Sequence, residues 1–294
     1  MRIAAGAVGL EVDDRGPAGA PAVLMIMGLG MPLTGWPEEL VDLLVARGLR
    51  VLRFDNRDIG LSQYFDHLGP PNLAWAFMRY ALHLPLHPPY TLREMAGDAL
   101  ALMDALGLQR AHVCGASMGG MIAQHLAAEQ PERVRSLTLV MTTSGARHLP
   151  QPRLALRRAL LKRPDGRDPE QVIAHLTWLL GLIGSPGYPP EPERLRQRLQ
   201  AMVHRAWHPV GTARQLVAVA ADGDRTPLLA RITAPTHVIH GEDDPLIPAA
   251  AGHELAGLIT GASADFIPGM GHDLPLALLE RIADGIARNA AWAA

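Results

Sequence analysis

Residues 113–120 read Val113-Cys114-Gly115-Ala116-Ser117-Met118-Gly119-Gly120, and this stretch decides the fold. An apolar, strand-like run from Ala111 to Cys114 leads into it, and a helix-like run from Met121 to Glu129 leads out. Between them, Gly115-x-Ser117-x-Gly119 has the pattern of a nucleophile elbow, a serine held on a sharp strand-to-helix turn. A serine forced into an unfavourable backbone conformation needs neighbours without side chains, so that strand and helix can approach closely. The same turn puts Ser117 at a helix N-terminus, where unpaired N–H groups and the macrodipole favour negative charge. The rest of the chain decides between that elbow and a glycine-rich turn with an ordinary serine.

Outward from the elbow the chain alternates strand and helix. Residues 2–12 and 21–27 read as strands joined by a turn at Asp14-Arg15-Gly16-Pro17; the second is apolar throughout, as in a strand covered on both faces. It runs into Gly28-Leu29-Gly30-Met31, followed by a helical pattern from Trp36 to Arg47, a strand from Arg50 to Phe54 and a turn from Asp55 to Ser62. A helix over 91–106 opens with Thr91 and Glu94 spaced as a capping box. The elbow strand, its helix and a strand over 136–140 complete a β-α-β-α-β rhythm, which implies an α/β fold with a mostly parallel sheet and helices on both faces. The rhythm stops after Thr143. Residues 145–223 hold helical patterns near 152–163, 168–183, 193–207 and 210–221 and no convincing strand, as an all-helical insertion would. It resumes with a strand over 236–240, a helix over 249–258, a strand over 264–267 and a last helix over 274–288. The expected organisation is a core of 1–144 and 224–294 with a helical cap of 145–223.

With 294 residues, 48% of them hydrophobic, the chain has enough material for one large core. Its formal net charge of −2 and the absence of a long Lys/Arg cluster argue against a nucleic-acid partner. The most basic stretch, Arg153 to Arg167, interleaves arginine with Leu and Ala as the solvated face of a helix would. Cys114, the single cysteine, excludes an intrachain disulfide and suits a reducing, cytoplasmic setting. The N-terminus reaches Glu11 and Asp13 too soon for a signal peptide, and the longest apolar run, Ala22 to Leu33, is too short to span a bilayer. A cytoplasmic protein without membrane contact is expected.

A serine hydroxyl needs a general base, and the base needs a group to orient it. His272 is the candidate base, in the loop Pro268-Gly269-Met270-Gly271-His272-Asp273 after an expected strand; His240, its rival, reads as the last residue of a strand. An acid follows that strand in Gly241-Glu242-Asp243-Asp244-Pro245. The order Ser117, Asp244, His272 is one in which all three stand just beyond the C-terminal ends of parallel strands, where sites of open α/β sheets occur.

On these residues the chain resembles an α/β-hydrolase over essentially its whole length, and it is most similar to the aclacinomycin methylesterase-like esterases. The shared features are Met27-Gly28, Gly35-Trp36-Pro37, Asp55-x-Arg57-Asp58-x-Gly60-x-Ser62, the Ser117-Met118-Gly119 elbow, Asp244-Pro245, and Ile267-Pro268-Gly269-Met270-Gly271-His272. The resemblance implies a serine carboxylic-ester hydrolase without cofactor, acting on a small-molecule ester. It also places the acid immediately before the proline, favouring Asp244 over Asp243; Pro245 itself disfavours the α conformation at Asp244. The oxyanion hole implied is the backbone N–H of Leu29 and of Met118. Many relatives carry His-Gly where this chain has Met27-Gly28, which removes a polar side chain and leaves the backbone donor.

Ser117 at the elbow excludes the aspartate-nucleophile chemistries of this fold, and Gly28-Leu29-Gly30 lacks the third glycine of a dinucleotide fingerprint. His204 and His208 have the i, i+4 spacing of metal ligands but no acid between them, so no metal is expected. The Asp55 to Ser62 turn reads as a buttress for loop backbone. Leu-rich sequence with Trp178, Met202 and Trp207 in the insertion implies a pocket selective by shape for small to medium apolar esters, although most of these side chains would pack cap helices together. The alternatives are the same triad on a thioester, lactone, amide or C–C bond or in perhydrolysis, and a non-enzymatic ligand-binding protein of this fold. A histidine base also predicts activity that rises with pH as the imidazole loses its proton.

Overall fold

The computed structural model describes residues 1–160, 162 and 168–293. In place of one strand over 2–12 there are two, β1 (Arg2–Ala5) and β2 (Val8–Arg15), paired antiparallel with Ala5 opposite Val8. Gly6 makes the reversal at φ +59°, a left-handed conformation that only glycine adopts at no cost. Then follow β3 (Ala22–Ile26), α1 (Glu38–Ala46), β4 (Arg50–Phe54), α2 (Leu73–Ala81), α3 (Leu92–Ala105), β5 (Ala111–Ala116), α4 (Met118–Glu129) and β6 (Val134–Val140). The helices of the insertion come next: α5 (Leu154–Leu160), α6 (Pro169–Ile183), α7 (Pro192–Arg205) and α8 (Pro209–Asp222). The chain ends with α9 (Thr226–Leu229), β7 (Thr236–Gly241), α10 (Ala250–Leu258), β8 (Ser263–Ile267) and α11 (Leu279–Trp292).

The sheet has eight strands in the order β1-β2-β4-β3-β5-β6-β7-β8; every pair from β4 to β8 is parallel, and β2 joins β4 antiparallel. From β3 the chain steps outward to β4 and then crosses back to β5, so the order reverses between β3 and β5. That switch point opens a crevice at the strands' C-terminal ends. Strand alternation splits the core in two. Leu24, Ile26, Val113, Leu137 and Val238 face α3, α4 and α10, whereas Val23, Met25, Cys114, Val140 and Ile239 face α1 and α11. The capping box at Thr91 and Glu94 forms as expected, starting α3.

Other differences have local causes. Trp36 is fully buried and precedes α1, because Pro37 is the N-cap. The elbow helix starts three residues earlier than its apolar run, directly after Ser117. The last helix begins at Leu279 because a 3-10 turn over Leu276–Leu278 follows Pro275. Helix α2 has no counterpart among the expected elements; Asn72 caps it by accepting the Trp75 N–H. In the insertion, residues 161 and 163–167 of the expected helix over 152–163 and of the basic stretch lie outside the described residues. Among the described residues no helix is long and apolar enough to cross a membrane.

The sheet carries a pH-sensitive element at the N-terminal end of β5, opposite the crevice. His112 on β5 is buried and pairs its Nδ1 with Ser136 Oγ on β6 at 2.9 Å. Burial, helped by Arg135 and Arg110, pushes its pKa down to about 4. A histidine depressed in the folded state is neutral there but takes up a proton when unfolded, so stability is full above about pH 6.5 and falls as pH drops towards 4. Urea midpoints between pH 7.5 and 5 should fall steeply in the wild type and less steeply in His112→Asn.

Candidate active site

Ser117 follows β5 and is the N-cap of α4, with φ +53° and ψ −120°. That left-handed φ is costly for a serine, about 1–3 kcal/mol. It persists because Ser117 N–H donates to Val140 O at 2.9 Å and Thr142 Oγ1 donates to Ser117 O at 2.7 Å. The elbow glycines are a matter of contact. A Cβ on Gly119 would stand 1.9 Å from Ile26 O, and one on Gly115 would stand 2.3 Å from Gly119 O. Gly28, at the end of β3, lies against the serine itself: a Cβ there would be 3.2 Å from that of Ser117.

His272 follows β8. Its Nε2 lies 3.0 Å from Ser117 Oγ and its Nδ1 2.7 Å from Asp244 Oδ2. A carboxylate only accepts, so Nδ1 carries the proton and Nε2 presents its lone pair to the serine hydroxyl. Asp244, after β7, is fixed in turn: its Oδ1 accepts the N–H groups of Leu246 and Ile247, both at 2.8 Å. Asp243 points elsewhere and accepts the Gly269 N–H at 2.7 Å. His240 is fully buried behind the acid with Nε2 donating to Ile247 O at 2.8 Å, and burial holds its pKa below the ordinary histidine value. The structure thus brings Ser117, Asp244 and His272 together and leaves Asp243 and His240 outside the relay.

The two backbone donors expected for an oxyanion flank the serine. Met118 is the first residue of α4, and Leu29 follows Gly28 in the loop after β3. Neither N–H donates to an acceptor among the described residues. The turn from Asp55 to Ser62 props that loop: Asp55 Oδ1 accepts the Leu33 N–H at 2.6 Å, and Asn56 Nδ2 donates to Met27 O at 2.9 Å. Arg57 pairs with Asp98 at 2.6 Å, under the rings of Phe65 and Tyr90.

The helical insertion holds the site from above, through residues that no sequence motif singles out. Its turn after α6 grips the His272 loop: His272 N–H donates to Ile183 O at 2.7 Å, and Gly271 N–H donates to Ser185 Oγ at 2.8 Å. The Ser185 hydroxyl in turn donates to Asp273, whose carboxyl burial pushes up. On α8, Arg214 is buried and clasps Asp58, and Gln215 reaches the loop after β3. The ends of the insertion adjoin: a Cβ on Gly145 would stand 2.1 Å from Gly223 O, and Arg225 N–H donates to Ser144 O at 2.8 Å.

The pair His204 and His208 does not share a helix. Ala206, at φ −173° and ψ 131°, ends α7; His204 is exposed and His208 caps α8. His208 does converge with Asp58 and Asp66, but the Arg214 guanidinium already lies between those carboxylates, at 2.7 and 3.0 Å. Met202 packs α6 against α7 with Val172, Ile173 and Leu199, and Trp207 borders that cluster; Trp178 is 40% exposed. A cavity of about 590 Å³ opens between α7 and the segment after His272, lined by Trp36, Leu180, Tyr188, Met202, Arg205 and Leu274 among others. It borders the His272 loop and not Ser117.

Fold and geometry together define a class: a mostly parallel α/β sheet whose strand ends carry a serine, a histidine and a carboxylate in one hydrogen-bonded relay. The sequence pattern of the family described as alpha/beta hydrolase fold matches residues 21–276, and the chain belongs to that family. It is 33% identical to the rhodomycin D methylesterase DauP of Streptomyces sp. (strain C5) over 291 residues, covering 92% of this chain and 90% of that one. It is 31% identical to the rhodomycin D methylesterase DnrP of Streptomyces peucetius, with the same coverage. Among solved structures, the enol-lactonase from Burkholderia xenovorans LB400 superposes with a TM-score of 0.71 at 26% identity, covering 100% of this chain and 99% of that one.

Proposed function

We propose that this chain is a serine hydrolase of carboxylic esters, in which Ser117 is the nucleophile, His272 the general base and Asp244 its orienting acid. The observation that carries the reading is the 3.0 Å approach of His272 Nε2 to Ser117 Oγ with Nδ1 on Asp244. Identity above 30% to two methylesterases supports an ester as the bond cleaved. Ser117 Oγ bonds to the ester carbonyl carbon as its proton passes to Nε2 and the π electrons move to oxygen. The backbone N–H groups of Leu29 and Met118 receive that oxyanion, each worth about 3–4 kcal/mol in the barrier. Collapse expels the alcohol, which takes the proton from Nε2. Water then repeats the sequence on the acyl-serine, releasing the acid and restoring the hydroxyl.

Residues 145–223 act as a cap over the strand ends, a reading supported by the adjacent ends of the insertion and its bonds to the His272 loop. The substrates are small to medium apolar esters, methyl esters included, selected by shape between cap and core. A cytoplasmic setting suits a chain whose one thiol, Cys114, is buried and pushed up to about 12. A fluorophosphonate probe should label the wild type stoichiometrically, and a chain-length series of methyl and p-nitrophenyl esters should be turned over. Labelled protein that hydrolyses a thioester, lactone or diketone but no ester would assign the same triad to another bond; folded protein that is never labelled would leave a binding protein.

A further inference from the structure

Gln215 lies on α8, in the helical insertion and far in sequence from every motif of the site, yet its side chain is fully buried and both ends are used. Oε1 accepts the Gly30 N–H at 3.0 Å and Nε2 donates to Arg57 O at 2.9 Å. One amide thus ties the loop after β3 to the turn that props it. Resting on the reading that the Leu29 N–H receives the oxyanion, we propose that Gln215 is a positioning residue for the oxyanion hole.

Leu29 N–H belongs to the peptide unit whose carbonyl is Gly28 O, and peptide units are planar, so fixing the neighbouring units aims that N–H. Gly28 O accepts the Met31 N–H at 3.3 Å, Met27 O is held by Asn56, and the following unit is held at Gly30 N–H by Gln215. Gly30 has φ +69°, and a Cβ on it would stand 2.7 Å from Thr212 Cγ2, so α8 packs directly on this turn. The helix is itself immobilised. A Cβ on Gly211 would stand 2.1 Å from Asp58 O, and Arg214 binds Asp58 through two 2.7 Å bonds. Gln215 is therefore a short strut on a fixed helix, and losing it frees the loop to turn its donor away. Since the ground-state carbonyl needs that donor less than the oxyanion does, the loss falls on kcat and spares KM.

The test compares wild type with Gln215→Met, Gln215→Asn and Gln215→Glu in steady-state kinetics on a methyl ester. It adds the inhibition constant of an aryl trifluoromethyl ketone, to which Ser117 Oγ adds while its proton passes to His272 and the carbonyl oxygen becomes an oxyanion. Met has neither hydrogen-bonding group and Asn is one methylene short. Removing a donor outright costs about 10²–10³-fold, and a misaimed donor should cost about tenfold in kcat, with KM nearly unchanged and the ketone about tenfold weaker. In Gln215→Glu the buried carboxyl, protonated beside the Arg57 carbonyl, keeps both bonds and should restore kcat to within about threefold. Should Gln215→Met fail to fold, Gln215→Asn carries the comparison. Folded Met or Asn variants with wild-type kcat and ketone affinity, against an inactive Ser117→Ala, would overturn the role of Gln215 and leave the triad standing. A lower kcat with unchanged ketone affinity would overturn it too. A wild type inert to esters and fluorophosphonate would remove the hydrolase reading and this inference together.

Discussion

Ser117→Ala is expected to lower ester turnover by about a million-fold, to what binding and the oxyanion donors alone can achieve. No neighbouring group can substitute. The Cys114 thiol is fully buried, with its pKa pushed up to about 12. His272→Ala should be as damaging, because His240 is committed to Ile247 O and cannot take the serine proton. The double variant should be no worse than either single one, since each already removes the attacking alkoxide. Asp244→Asn should cost about ten-thousand-fold, because an amide at 2.7 Å from Nδ1 favours the tautomer with the proton on Nε2. Asp243→Asn, which disturbs only a bond to Gly269 N–H, should stay within about tenfold of wild type. Values of kcat/KM with fluorophosphonate labelling of each variant check the series. An Asp243 variant worse than the Asp244 variant would reassign the acid.

What was legible in the sequence was local. The elbow can be read because a Cβ on Gly119 would stand 1.9 Å from Ile26 O, so no side chain fits there, and the glycine is visible as a letter. Asp244 and His272 can be read because each follows a strand in a short motif, and the topology carries strand ends to one rim. The hairpin between β1 and β2 escaped because apolar residues continue through 2–12 with no polar turn sequence between them, and the reversal rests on the left-handed φ of Gly6. The helical pattern of α7 runs on to 207 because nothing at Ala206 forbids a helix. The break there comes from tertiary contacts, Arg205 reaching Asp55 and His208 reaching Asp58 O, both 150 residues away. Gln215 and Arg214 escaped for the same reason: their partners lie more than 140 residues off, and a buried Gln or Arg in a helix looks like a solvated one. What holds the strand ends in register with the insertion is thus non-local, and periodicity carries no trace of it.

The cost of breaking that non-local framework should be largest at Arg214. Its side chain is fully buried, bonds Asp58 through Nε and Nη2, both at 2.7 Å, and donates to Gly69 O at 2.9 Å. Burial alone would push the Asp58 carboxyl up; the guanidinium and the Phe65 N–H outweigh it and hold the carboxyl below its usual range. Arg214→Met keeps the volume but strands that carboxylate in a fully buried position, and removing one partner of a buried pair costs about 3–5 kcal/mol. For a chain of this size that is a fall of about 5–8 °C in the melting midpoint. Asp58→Asn added to Arg214→Met should recover part of the loss, because the stranded group is then neutral, so the double variant should be more stable than the sum of the singles implies. The pH dependence gives a second check. In the wild type Asp58 stabilises at all pH values above the unfolded carboxylate pKa, and this is lost as pH falls through its lower folded pKa. In Arg214→Met the sign reverses: the unpaired carboxyl favours its proton, so the deficit relative to wild type should shrink as pH falls from 7 towards 5. Urea denaturation of the four proteins at both pH values measures this, and a deficit that is small and independent of pH would mean that Asp58 finds its compensation without Arg214.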